Sequence, residues 1–391
     1  MNSTTAADVP LISTSDALAA FCASLANERY VTVDTEFLRE TTYYPKLCLI
    51  QVAGANDAAL VDPLAQGIDL APFHALMGDT RILKVFHAAR QDVEILLKMT
   101  GQVPSPIFDT QIAAMVCGFG DQVGYEAIVR KFVGAQIDKS SQFTDWSRRP
   151  LTHKQMAYAL SDVTHLRTVY EKLMAQIEKE SRSDWLEGEL EDLANPNSYR
   201  VDPEEMWRRI KARIQNKKQQ ATLMAVAAWR ERQAQEKDVP RGRILKDEAV
   251  GEIAIQVPQT REALQQLRLL PRGSADSVIG KGILEAVAVA LARDPATVPA
   301  PKGRGEEMNG AQEAAAEILK LALKIVSDRD GIAPKLIASS ADIDAIAVDD
   351  DASVAAMQGW RREVFGNVAL DLKHGRAAIA MEKGRAQIVK R

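Results

Sequence analysis

The run Val31–Phe37, VTVDTEF, constrains this chain more than any other stretch. Its β-branched residues favour an extended backbone, and an extended backbone sends successive side chains to opposite faces. Val31 and Val33 then point into a core, while Asp34 and Glu36 share the other face. Two neighbouring carboxylates repel, which raises their proton affinity unless a cation neutralises them. Oxygen ligands of this kind suit hard divalent cations such as Mg²⁺ or Mn²⁺. Taken alone, the pair reads first as a solvated strand face.

Around this run the first 190 residues alternate strand-like and helix-like segments. Tyr30–Val33, Leu47–Ala53, Ala58–Asp62 and Arg81–Phe86 are short and apolar, bounded by polar or glycine-containing turns. Helical periodicity marks Asp16–Ala26, Gln91–Met99, Thr110–Cys117, Tyr125–Phe132 and Lys154–Gln176. The pattern predicts an α/β domain with a mixed sheet over residues 1–200. Loop signals at Ala194–Pro203 close it. A Pro- and Gly-rich linker is expected at 294–310, separating two mostly helical segments, 204–292 and 311–385. A faint repeat at an offset of 93 residues relates those segments: Ile253-Ala254 matches Ile346-Ala347, and Gly273 matches Gly366.

Charge follows the same division. Residues 1–200 carry a net −8, residues 201–294 a net +4, and the remainder is balanced. An acidic first half and a basic middle fit a metal-dependent enzyme joined to a phosphate-facing module. Cys22, Cys48 and Cys117 are scattered, which argues for a reducing compartment and against a zinc or disulfide framework. The opening residues, MNSTTAADVP, lack the basic and apolar regions of a secretory signal, and no apolar run is long enough for a membrane span. A cytoplasmic location without membrane or organic cofactor is the expectation. Gly273–Gly282, GSADSVIGKG, imitates a phosphate-binding loop but has the wrong spacing and no Ser or Thr after its lysine.

Two further segments carry acids. In Phe86–Leu97, FHAARQDVEILL, Asp92 falls in the first turn of a helix that follows a strand. In Tyr158–Asp162, YALSD, the phenol and the carboxylate are four residues apart and share a helix face beside the apolar stripe of Met156, Leu160, Val163, Leu166, Val169 and Leu173. Each piece has a bland reading. The set, in this order, resembles the DEDDy family of 3′→5′ exonucleases, and the run Asp138–Asp162, DKSSQFTDWSRRPLTHKQMAYALSD, resembles its ribonuclease D branch. Asp109–Gln111 and Gly124–Tyr125 also fit that layout. The helical segments resemble two HRDC domains, the first on Ala225–Arg232 and Lys237–Arg243, the second on Asp330–Ile337 and Gly359–Arg362.

The resemblance implies a ribonuclease-H-like exonuclease domain followed by two all-α HRDC-like domains. It implies two divalent cations, Mg²⁺ or Mn²⁺, held by Asp34, Glu36, Asp92 and Asp162, with Asp34 bridging and Tyr158 orienting the attacking water. It implies release of nucleoside 5′-monophosphates from the 3′ ends of tRNA precursors and other small structured RNAs. Phe37, His87, Lys139, Gln142 and Arg149 are the candidate substrate contacts. Arg208, Arg209, Lys211 and Arg213, around Trp207, form a candidate RNA track whose binding would weaken steeply with salt. The rivals are a DNA exonuclease of proofreading or repair type, and a non-catalytic RNA-binding scaffold.

Overall fold

The computed structural model describes residues 11–301 and 308–391. The opening residues read for a leader lie outside that range, as does the middle of the expected linker. The chain divides into two compact units that do not follow sequence order. Within the described residues, one comprises 11–36, 47–198 and 308–391, and the other 37–46 and 199–301.

The first unit is built on a six-stranded mixed sheet in the order β1-β4-β3-β2-β5-β6. Its strands are β1 (Leu11–Ile12), β2 (Tyr30–Leu38), β3 (Lys46–Ala53), β4 (Ala58–Val61), β5 (Leu83–Phe86) and β6 (Ile107–Asp109). The helices are α1 (Ser15–Ser24), α2 (Ala71–Gly78), α3 (Arg90–Thr100), α4 (Thr110–Val116), α5 (Tyr125–Phe132), α6 (His153–Lys179) and α7 (Ser183–Ala194). β2, β5 and β6 run parallel, with Thr32 opposite Val85 and Phe86 opposite Asp109. Parallel strands bring their carboxyl ends to one sheet edge, the usual place for a ligand site in an open α/β sheet. Asp34, the turn after Phe86 and Asp109 therefore come to the same edge. β1, β6, α2 and α7 were not read from the sequence.

α6 starts on a capping box in which the Thr152 hydroxyl and the Gln155 side chain satisfy each other's backbone N–H. It buries Ala159, Asp162, Val163, Leu166, Val169, Leu173 and Ile177. Met156 and Leu160 of the expected stripe are half-buried instead. Thr32 donates to the Val163 carbonyl at 2.8 Å, which ties α6 to the acidic face of β2.

The 308–391 segment packs into this same unit. It contains α13 (Gly310–Asp330), α14 (Pro334–Ile337), α15 (Ser340–Val348) and α16 (Gly359–Arg361), then a π-turn at Arg362–Gly366 and α17 (Asn367–Lys373). It ends in a hairpin, β7 (Ala377–Glu382) and β8 (Arg385–Lys390), where an all-helical end was expected. Lys383 and Gly384 both take positive φ, +49° and +78°, as a tight hairpin turn demands. One apolar core runs from Val85 and Phe108 through Leu166 and Leu173 to Leu319, Ile337 and Phe365.

The second unit contains α8 (Lys217–Glu236), α9 (Arg241–Ile244), α10 (Asp247–Gln256), α11 (Arg261–Gln265) and α12 (Val278–Ala292) around its own core. The 37–46 segment belongs to it. Tyr43 packs in that core and its hydroxyl donates to the buried Glu231, while the N–H groups of Tyr43 and Tyr44 donate to Asp238 at 3.1 and 3.0 Å. No helix among the described residues is long and apolar enough to cross a membrane.

A candidate metal centre

Asp34 and Glu36 lie near the end of β2, and α6 brings Asp162 to them. The three carboxylates each place an oxygen within 4.8 Å of the others. Asp92 stands outside that trio, in the first turn of α3. It is buried, and it accepts a very short hydrogen bond from the Thr35 hydroxyl. Thr35 sits between the two β2 acids in sequence but on the opposite strand face.

Burial raises the proton affinity of all four groups, and neighbouring acids of the set add to it at Asp34 and Glu36. Glu36 is pushed up to about 9 by desolvation and by the charges of Asp162 and Asp92. Desolvation pushes Asp92 and Asp162 each up to about 7, and Asp34 is driven well above the ordinary carboxylate range by burial and by its three acidic neighbours. The Asp162 Oδ1 atom is buried without a hydrogen-bond partner. An orphaned carboxylate oxygen facing two further carboxylates, all hard oxygen donors, fits a divalent cation.

Tyr158, one turn before Asp162, interacts with it through its hydroxyl. Burial and the charges of Asp162, Glu36 and Asp34 drive the phenol's pKa upward, so the hydroxyl keeps its proton at neutral pH. Trp146 is buried beside it, with ring centroids 6.1 Å apart. Asp34, Tyr158 and Asp162 share a cleft of about 230 Å³ with His87, Tyr125, Glu126, Lys139 and Gln142.

The α3 N-terminus is held by a residue that the sequence marks only through the family layout. Asp109 accepts from the N–H groups of Ala88 (3.0 Å), Ala89 (2.8 Å) and Gln111 (2.7 Å). It thereby caps α4 and fixes the strained turn that presents Asp92, where Ala88 has a φ of +59°.

The candidate substrate residues divide. His87 lines the cleft, but both ring nitrogens are engaged, Nδ1 with the Thr110 hydroxyl at 2.9 Å and Nε2 with the Val123 carbonyl at 3.1 Å. Burial lowers the His87 pKa and so favours the neutral ring. Lys139 lines the cleft and pairs with Glu126 at 3.0 Å, and exposed Gln142 lies beside it. Arg149 is committed elsewhere: it grips Asp62 at 2.6 and 2.7 Å and the Cys48 carbonyl at 2.7 Å. Phe37 is half-buried near the end of β2 and is not among the cleft-lining residues. Arg208, Arg209, Lys211 and Arg213 are exposed in the second unit. They lie on a 3-10 turn, Pro203–Arg209, and the non-helical stretch after it, not on a helix face. Arg208 pairs with Glu205 and stacks on Trp207. Thr35, Tyr125 and Glu126 were not singled out individually from the sequence, because their roles depend on partners brought in by other elements.

A family model for the 3′-5′ exonuclease matches residues 9–178, and one for the HRDC domain matches 219–287. Ribonuclease D of Nitrobacter hamburgensis is 52% identical over 381 residues, covering 97% of this chain and 99% of that protein. Ribonuclease D of Jannaschia sp. is 48% identical, covering 97% and 98%. The crystal structure of Escherichia coli RNase D, an exoribonuclease involved in structured RNA processing, superposes with a TM-score of 0.79 at 32% identity, covering 94% of this chain and 99% of that one.

Proposed function

The chain belongs to the ribonuclease D family and is a 3′→5′ exoribonuclease; from that premise we propose that Asp34, Glu36, Asp92 and Asp162 hold two divalent cations, Mg²⁺ or Mn²⁺, and that its substrates are tRNA precursors and other small structured RNAs. The observation that carries the metal reading is the trio of carboxylates within 4.8 Å of one another, with the buried Asp162 oxygen left unpaired. Bound cations would activate water at neutral pH and neutralise the charge that develops on the scissile phosphate.

The chain's own residues do the rest. Tyr158 keeps its proton and so acts as a hydrogen-bond donor that orients the attacking water. Lys139 sits at the cleft beside Glu126, placed to meet a phosphate oxygen. Neutral His87 forms a wall of the cleft and leaves no free nitrogen for proton transfer. Thr35 and Asp109 position Asp92. The product would be a nucleoside 5′-monophosphate. The structured-RNA role stated for the E. coli relative supports the substrate reading, as does the net positive charge of residues 201–294. Arg208, Arg209, Lys211 and Arg213 would then track the phosphates of the RNA body. A cytoplasmic site of action goes with this reading.

The decisive experiment compares the wild type with Asp34→Asn on a 3′-extended tRNA precursor and on single-stranded RNA and DNA of one sequence. Wild type is expected to release mononucleotides from RNA faster than from DNA, only with divalent metal, and Asp34→Asn to release none while keeping its melting temperature. Full activity in the variant would sink the metal assignment, and preference for unstructured RNA over the precursor would sink the substrate assignment.

A further inference from the structure

Phe143 is 93% exposed. It is the one fully exposed aromatic side chain among the described residues, and it stands next to the cleft-lining Gln142. The loop that carries it is rigidly tied. Asp138 accepts from the Ser140 N–H at 2.9 Å, and Ser141 is buried. The Thr144 N–H and hydroxyl both donate to the Ser141 carbonyl, at 3.1 and 2.8 Å, and Gln155 donates to the Thr144 hydroxyl at 3.0 Å. Gln142 and Phe143 are thus the two central residues of a closed turn, with buried Trp146 anchoring its far side.

An aromatic ring held in water by a preorganised turn forgoes the gain of burial. The arrangement gains free energy when a flat apolar surface covers the ring. Two cations lie in the same stretch of chain: Lys139 at the cleft, paired with Glu126, and Arg148, paired with Asp145 with its side chain 83% exposed. Basic groups interleaved with an exposed aromatic are the composition of a single-strand platform, in which cations track phosphates and the ring stacks on a base. We propose that Phe143 is a stacking platform for a nucleobase of the RNA strand entering the catalytic cleft, a contact indifferent to base identity and distinct from the metal ligands. The inference rests on the reading that this cleft takes an RNA 3′ end.

The test is binding of the full chain to a 5′-labelled single-stranded oligoadenylate, followed by anisotropy with Ca²⁺ replacing Mg²⁺. Phe143→Ala and Phe143→Leu should each weaken binding about 5- to 150-fold, the range expected for one lost base stack. Phe143→Trp should bind as tightly as wild type or tighter. On the same oligonucleotide with abasic sites at its four 3′-terminal positions, wild type and Phe143→Ala should bind equally. Unchanged affinity for the intact oligonucleotide in Phe143→Ala, or an equal loss on the abasic one, overturns the proposal. So does a change of oligomeric state on sedimentation with RNA affinity intact, which would make the ring a protein contact. If wild type itself neither binds nor trims the oligonucleotide, the RNA reading of the cleft fails, and this inference falls with it.

Discussion

Burial holds the proton affinity of each of the four acids above its value in water, and this has a measurable sign. Glu36 titrates near 9 and Asp92 and Asp162 near 7, against ordinary values of 4.5 and 3.8. The folded metal-free protein therefore binds more protons than the unfolded chain between about pH 4 and pH 9, so stability falls as pH rises through that window. In chelator, the melting temperature should drop from pH 5 to pH 9, and Mn²⁺ should restore it, most strongly at the alkaline end. A flat profile in chelator would mean that the acids are not coupled as their geometry indicates. A second prediction concerns Thr35, whose hydroxyl is spent on Asp92. Thr35→Val should weaken Mn²⁺ binding about 10- to 100-fold, as loss of an outer partner to a metal ligand does, and Thr35→Ser should restore it; calorimetric titration reads both. The acids themselves were legible in the sequence, because each sits in a local pattern of strand or helix. Thr35 was not, since it faces away from the pair it separates. Arg149 misled for a similar reason: its partner Asp62 is 87 positions away, and no local pattern announces the pairing.

Among the elements, what was legible depended on length and on who supplies the stabilisation. α3, α5 and α6 show their periodicity over two turns or more. β1 has two residues and β6 three, too short to alternate visibly, and they exist because longer neighbours pair with them. The basic residues around Trp207 fall in a segment expected to be mostly helical, yet a 3-10 turn and a non-helical stretch of chain carry them; Asp202 caps a short turn there, and the long helix α8 begins only at Lys217, after its Asn216 cap. β6 nevertheless has a decisive job, because its last residue is Asp109. Asp109→Ala removes the acceptor for three backbone N–H groups and should cost about 2–4 kcal/mol in urea unfolding. It should also depress activity beyond the loss of folded protein, because Asp92 rides on the turn that Asp109 fixes. Asp109→Asn, which keeps one accepting oxygen, should fall between the two. Activity that tracks only the folded fraction in both variants would separate Asp109 from the site.

For the molecule as a whole, the compact units do not follow sequence order. The 308–391 segment resembles a second helical module at the end of a linker, yet it shares the core of the exonuclease unit. The junction is polar as well as apolar. Arg182 donates to the carbonyls of Gly331 at 3.0 Å and Asp330 at 2.5 Å, Trp185 stacks on Trp360 with centroids 4.6 Å apart, and the Ala333 N–H donates to the Met115 carbonyl at 3.0 Å. None of these pairs is visible in sequence, since each spans well over a hundred positions. A chain ending at residue 301 should consequently expose the apolar surface of α4 and α7 that this segment covers, and aggregate. A point substitution tests the same junction more gently. A Cβ at Gly118 would lie 2.4 Å from the Gly331 carbonyl oxygen, whereas one at Gly120 meets nothing within 4 Å, and both glycines have positive φ. Gly120→Ala should therefore cost only the left-handed penalty, about 1–2 kcal/mol. Gly118→Ala adds an overpacking cost of about 1–3 kcal/mol, because backbone must move on both sides of the contact. Comparing the two by thermal unfolding isolates the close approach of the C-terminal segment to α4, and equal destabilisation would show that 308–391 is not seated there in solution.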